Sequence, residues 1–144
     1  MQIKINKLHP TASIPQYAHG AAEDAGMDLV ALEDATLYPG TPMAIATGLA
    51  IELPAGYEAQ IRSRSGLAFK HNVVVANSPG TIDPGYRGEI KVILVNNQQG
   101  TVYSVKAGDR IAQMVVAKYE AVEFVRGELA ESTRGTGGCG STGK

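Results

Sequence analysis

The sequence predicts an all-β single domain with one short helix, a β-sandwich, jelly roll or small barrel, on three observations. Apolar and polar residues alternate with period two along much of the chain, and turn-forming clusters recur at short spacing. No long stretch carries helical periodicity.

The elements follow in order. Ile3 and Ile5 alternate with Lys4 and Asn6. Ile45, Thr47, Leu49, Ile51 and Leu53 share one side, with Ala46, Gly48, Ala50 and Glu52 opposite, which reads as one long strand. Tyr57, Ala59 and Ile61 alternate with Glu58, Gln60 and Arg62. The one expected helix starts near Ser65 or Gly66 and runs through Lys70, with Ser65 as its N-cap. Ile90, Val92 and Leu94 alternate with Glu89 and Lys91. Val92 to Val95 and Ile111 to Val116 are apolar on both faces apart from Gln113, which calls for a thick fold or a contact between subunits. YPGTP, LPAGY, DPGY, NNQQG and KAGD mark the turns. Residues 1–126 form the expected β domain, and the polar, glycine-rich 127–144 form a C-terminal arm.

A chain of 144 residues with 44% hydrophobic and 19% charged residues is one ordinary folding domain. Thirteen Lys and Arg against fourteen Asp and Glu leave no basic excess, so nucleic acid and anionic membranes are not the expected partners. A compact anion held by a few placed cations remains open. The start of the chain lacks the apolar block of a signal peptide, and no stretch approaches transmembrane length. With Cys139 as the lone cysteine, a cytoplasmic protein without disulfides is expected.

Five stretches carry residues suited to chemistry. In AGMDLVA, Asp28 either satisfies turn amides or approaches a hydrated cation. In RSRSGLAFK, Arg64 offers forked donors beside the free N–H groups of a helix start, or is a solvated arginine on a capped surface helix. NSPGTIDPGYRGEIK contains Asp83-Pro84-Gly85, the composition of a type II turn. There Asp83 serves a plain turn or acts as general base for a water, while Asn77 can read an amide-like edge and Tyr86 can pack against a ring. In GDRIAQMVV, a buried Gln113 would need amide partners from a phosphate or a neighbouring chain, and Asp109 and Arg110 can pair at the surface. The last residues, Gly138 to Lys144, read G-x-x-x-x-G-K. Without a preceding parallel strand or a following helix this is no Walker A loop. Its glycines nevertheless let backbone N–H groups converge on an anion, with Arg134, Ser141, Thr142 and Lys144 as further donors. The plain alternative is a solubilising end.

Taken in order, AGMDLVA, RSRSGLAFKH, GTIDPGYRGEI, GDRIAQMVV and RGTGGCGSTG resemble the five motifs of the homotrimeric dUTPases, and the resemblance runs from LHPTASIPQYA to the end of the chain. It implies a jelly-roll homotrimer with active sites shared among the chains. It also implies hydrolysis of dUTP to dUMP and pyrophosphate with Mg²⁺ on the triphosphate, which clears dUTP from the nucleotide pool and supplies dUMP. On the resemblance, Asp83 activates the water that attacks the α-phosphorus. Asn77 and the backbone of Thr81, Ile82 and Lys91 recognise uracil, and Tyr86 lies under the deoxyribose and excludes a 2′-hydroxyl. Arg64, Ser65, Gly66 and Gln113 hold phosphates, and Asp28 reaches the Mg²⁺ shell through water. The arm closes over a neighbouring site as a lid, with Arg134, Gly140, Ser141 and Thr142 on the terminal phosphate.

One position departs from the family pattern: Cys139 stands where an aromatic, usually Phe, is expected to stack on the uracil. Weaker substrate affinity and a looser lid are expected from that loss. Two rival readings keep the fold but change the function, a dCTP deaminase using a carboxylate such as Glu89, and a non-catalytic nucleotide-binding trimer.

Overall fold

The computed structural model describes residues 1–138. Its strands are β1 (Lys4–Lys7), β2 (Met27–Val30), β3 (Ala35–Leu37), β4 (Met43–Ala46), β5 (Leu49–Glu52), β6 (Tyr57–Arg62), β7 (Val73–Val75), β8 (Gly80–Ile82), β9 (Lys91–Asn96), β10 (Tyr103–Val105) and β11 (Arg110–Lys118). The helix α1 (Ser65–His71) lies between β6 and β7. The fold is thus mostly β with one short helix. Its antiparallel sheets run β2-β11-β6-β8, β4-β9-β7, β1-β5 and β10-β3.

The inward residues of these strands meet in one core, whose largest fully buried members include Leu29, Leu37, Leu49, Ile90, Leu94 and Ile111. Each such side chain contributes about 2 kcal/mol on removal from water. Two polar side chains share that core and are satisfied there. Asn96 donates to Leu37 O at 3.1 Å and Thr101 O at 2.8 Å, and the Thr47 hydroxyl donates to Ile90 O at 2.6 Å.

Two expectations change. The long alternation from Ile45 to Leu53 is two strands, not one, because Gly48 turns with φ +70° between β4 and β5. A Cβ there would lie 2.9 Å from Ala12 Cβ, so both the backbone and the space demand glycine. The N-cap of α1 is Arg64, and Ser65 is already helical; no side chain caps this end. On β9 and β11 the second faces are half-buried within one chain, at Ile93, Val95 and Val115, as a surface awaiting a subunit contact would be.

Regular structure ends with β11 at Lys118, before the compositional change at Gly127. Beyond it nearly all the described residues are exposed, with Phe124 at 95% and Leu129 at 96% exposure. Among the described residues no helix is long and apolar enough to cross a membrane.

Candidate active site

The pairing of β8 with β6, Gln60 opposite Thr81 and Ile61 opposite Gly80, sets the segment around Asp83 beside a cleft of about 330 Å³. A cis Ser78–Pro79 peptide leads into β8. Ala44, Ile61 and Ile93 give the cleft apolar walls, and Asn77, Thr81, Ile82, Asp83, Tyr86, Glu89 and Lys91 complete it. Apolar walls with a few convergent polar groups suit a flat heterocycle carrying an amide edge. The half-buried second face of β9 has its reason here, since Ile93 is one of those walls.

The Asp83–Tyr86 turn is closed by the Tyr86 N–H donating to Asp83 O at 3.1 Å. Arg87 braces it from outside, its Nη1 donating to Pro84 O at 2.7 Å and to Tyr86 O at 2.9 Å. Gly85 is not among the residues with positive φ, so the turn is not the type II form its composition suggested. The Asp83 side chain is exposed at the cleft, with no hydrogen bond or ion pair to the described residues. Tyr86 is 43% exposed, and its hydroxyl donates to Glu89 O at 2.9 Å. The ring lies against Gly88, where a Cβ would sit 2.5 Å from the Tyr86 Oη. Glu89 is a cleft residue that sequence reasoning left out of the site. Its Oε1 accepts from the Gly48 N–H at 2.9 Å, and Oε2 lies 3.8 Å from Lys91 Nζ. Only its nearness to DPGY hinted at this.

The phosphate candidates gather elsewhere. Arg64, at the start of α1, donates from Nε to Asp28 Oδ1 at 3.0 Å and from Nη1 to Arg110 O at 3.0 Å. Arg110 Nη1 lies 3.3 Å from Asp28 Oδ2, so this arginine pairs with Asp28 and not with Asp109. Asp109 instead accepts from the Lys106 N–H at 2.8 Å. Beside Arg64, burial pushes the Tyr103 phenol above its ordinary range, with the Asp109 charge adding to the effect. Gln113 stands opposite Asp28 on β2 and Arg62 on β6. It is exposed, so the expected buried amide is not found, because its position on β11 faces outward. Ser65 and Gly66 are exposed in the first turn of α1. None of Arg64, Ser65, Gly66, Gln113 or Asp28 lines the cleft that holds Asp83.

Among the described residues no group of three or more His, Cys, Asp or Glu could hold a metal ion. The Asp28 carboxylate, only 15% exposed, is engaged by two guanidinium groups. The donor set therefore does not fit a magnesium ion ligated by this chain alone. On the arm, Arg134 Nε donates to Gly137 O at 2.9 Å. Cys139, Gly140, Ser141, Thr142 and Lys144 lie outside the described residues.

Known proteins resemble this chain in sequence and fold. The dUTPase family profile matches residues 12–143. The deoxyuridine 5'-triphosphate nucleotidohydrolase of Solibacter usitatus is 60% identical over 144 residues, covering 100% of this chain and 97% of that protein. Its counterpart in Gloeothece citriformis is 50% identical, covering 99% and 97%. Among solved structures, the Staphylococcus bacteriophage 80alpha dUTPase with dUPNHPP matches with TM-score 0.90 at 27% identity, covering 99% of each chain. A mutant dUTPase from phage phi11 of S. aureus, described for its coordination of a structural Mg(II) ion, matches with TM-score 0.82 at 27% identity, covering 92% of this chain and 100% of that one.

Proposed function

This chain belongs to the dUTPase family and hydrolyses dUTP, and from that premise we propose how its residues do so. Uracil enters the cleft between the Ile61 and Ile93 walls, its edge read by the Asn77 carboxamide and the backbone of Thr81, Ile82 and Lys91. Tyr86 lies beneath the deoxyribose and leaves no room for a 2′-hydroxyl. Asp83 takes a proton from a water as that water attacks the α-phosphorus, and pyrophosphate leaves.

One observation carries the assignment of the base. The cleft holds two carboxylates, and Glu89 is bound to the Gly48 N–H, whereas Asp83 faces the cleft with no competing partner among the described residues. An exposed, uncommitted carboxylate beside the reacting water is what general-base chemistry requires.

Phosphoryl transfer depends mainly on charge neutralisation and in-line positioning. Arg64, Ser65, Gly66 and Gln113 supply those contacts from a neighbouring copy, since none of them lines the cleft of its own chain. With the family resemblance, the active unit is a homotrimer. Magnesium carried by the substrate triphosphate would offset its charge, with Asp28 facing that shell through water while it orients the Arg64 guanidinium. The arm closes over the nucleotide, bringing Arg134, Gly140, Ser141 and Thr142 to the terminal phosphate.

The test is Asp83→Asn. It should leave dUTP binding measurable while cutting kcat at least about a hundredfold, the scale of a lost general base. Wild-type turnover in that variant would remove Asp83 from the role.

A further inference from the structure

We propose that Glu89 is the positioning residue for Tyr86, and through it for discrimination between deoxyribose and ribose. The inference rests on placing Tyr86 under the sugar.

A ring that is 43% exposed gains little fixity from burial, so its orientation depends on its polar end. That end is held by one hydrogen bond, from the Tyr86 hydroxyl to Glu89 O at 2.9 Å. The acceptor belongs to a residue whose own side chain reaches 41 positions back along the sequence to the Gly48 N–H, at 2.9 Å. Gly48 is a fixed post. Its O accepts from the Leu8 N–H at 2.7 Å, its φ is +70°, and a Cβ there would press on Ala12 at 2.9 Å. The residue after Glu89 is tied to the same turn, Ile90 N–H to Leu49 O at 2.8 Å and Thr47 hydroxyl to Ile90 O at 2.6 Å. Glu89 thus stands between a turn tied by several hydrogen bonds and a half-exposed ring. Its other contact, 3.8 Å to Lys91, is a partly exposed ion pair of the kind that contributes little. Reach to Gly48, rather than charge near Lys91, is what the geometry assigns to this side chain.

Reach and charge separate cleanly by substitution. Glu89→Gln keeps the length and a carbonyl acceptor, and Glu89→Asp keeps the charge but falls one methylene short. The experiment measures kcat and KM for dUTP and UTP in wild type, Glu89→Gln, Glu89→Asp, Glu89→Ala and Tyr86→Ala, with thermal unfolding to confirm the fold. Loss of the anchor should raise KM for dUTP in the Asp and Ala variants and reduce the dUTP-to-UTP ratio of kcat/KM by roughly tenfold, with kcat far less affected. Glu89→Gln should stay close to wild type. If the alanine variant does not fold, the Gln and Asp pair decides. A folded Glu89→Asp or Glu89→Ala protein with the wild-type ratio, alongside a lowered ratio in Tyr86→Ala, overturns the role of Glu89. An unchanged ratio in Tyr86→Ala overturns the sugar assignment itself, and the inference with it.

Discussion

Around Asp83 the chain's own hydrogen bonds hold three neighbours: Arg87 braces the turn, Glu89 holds Gly48 and Tyr86 holds Glu89. Around Arg64, by contrast, opposite charges hold one another, with one carboxylate shared by two guanidinium groups and no cleft of base-reading residues beside them. The first region is preorganised by geometry within one chain. The second is a reserve of oriented donors: Arg64 Nε and Nη1 are occupied, while Nη2 has no partner among the described residues. The difference teaches how labour divides in such a site. Recognition of base and sugar requires rigid shape, and can be completed inside one fold. Binding a triphosphate requires concentrated positive charge, which is easier to bring from a second surface than to bury unpaired beside the first.

The largest effect should come from separating the two regions. Arg64→Ala removes the forked donor and should lower kcat/KM about a hundredfold or more. Dissociating and reassembling it together with Asp83→Asn should restore part of the activity neither variant has alone, because a hybrid site can draw an intact Asp83 and an intact Arg64 from different copies. No recovery on reassembly would show that both regions serve one site from one chain. Cys139→Phe sharpens the base side. A restored aromatic stack is worth ~1–3 kcal/mol per base, so KM for dUTP should fall on the order of tenfold. An unchanged KM would mean that the arm does not stack on uracil. The smallest effect is expected at Gly88→Ala, where the new Cβ would crowd the Tyr86 hydroxyl and ring edge at 2.5 to 2.9 Å. The ring end is half-exposed and can shift, so KM should rise only about threefold, the scale of one neutral hydrogen bond partly lost. A titration of KM against dUTP measures it.

Much of this was legible in the residues. Alternation located β1, β6 and β9, an apolar run located β11, and the motif residues fall into two clusters of the fold. What stayed hidden depends on partners far apart in sequence or on the sign of a dihedral angle. Asp28 meets Arg64 across 36 positions and Arg110 across 82, and neither separation leaves a local pattern. Period two is blind to φ, so the break at Gly48 looked like a continuing strand. Gln113 looked buried because its neighbours are apolar, yet its register opposite Asp28 and Arg62 turns it outward. Ser65 has the chemistry of a cap but enters the helix one position late.

Gly48 has a consequence for how this protein tolerates change. It touches no reacting group, yet a side chain there would strain the backbone, crowd Ala12 and shift the N–H on which Glu89 rests. In a random mutagenesis survey scored by dUTP hydrolysis, position 48 should therefore rank with the catalytic residues. A map of intolerant positions would be wider than a map of substrate contacts.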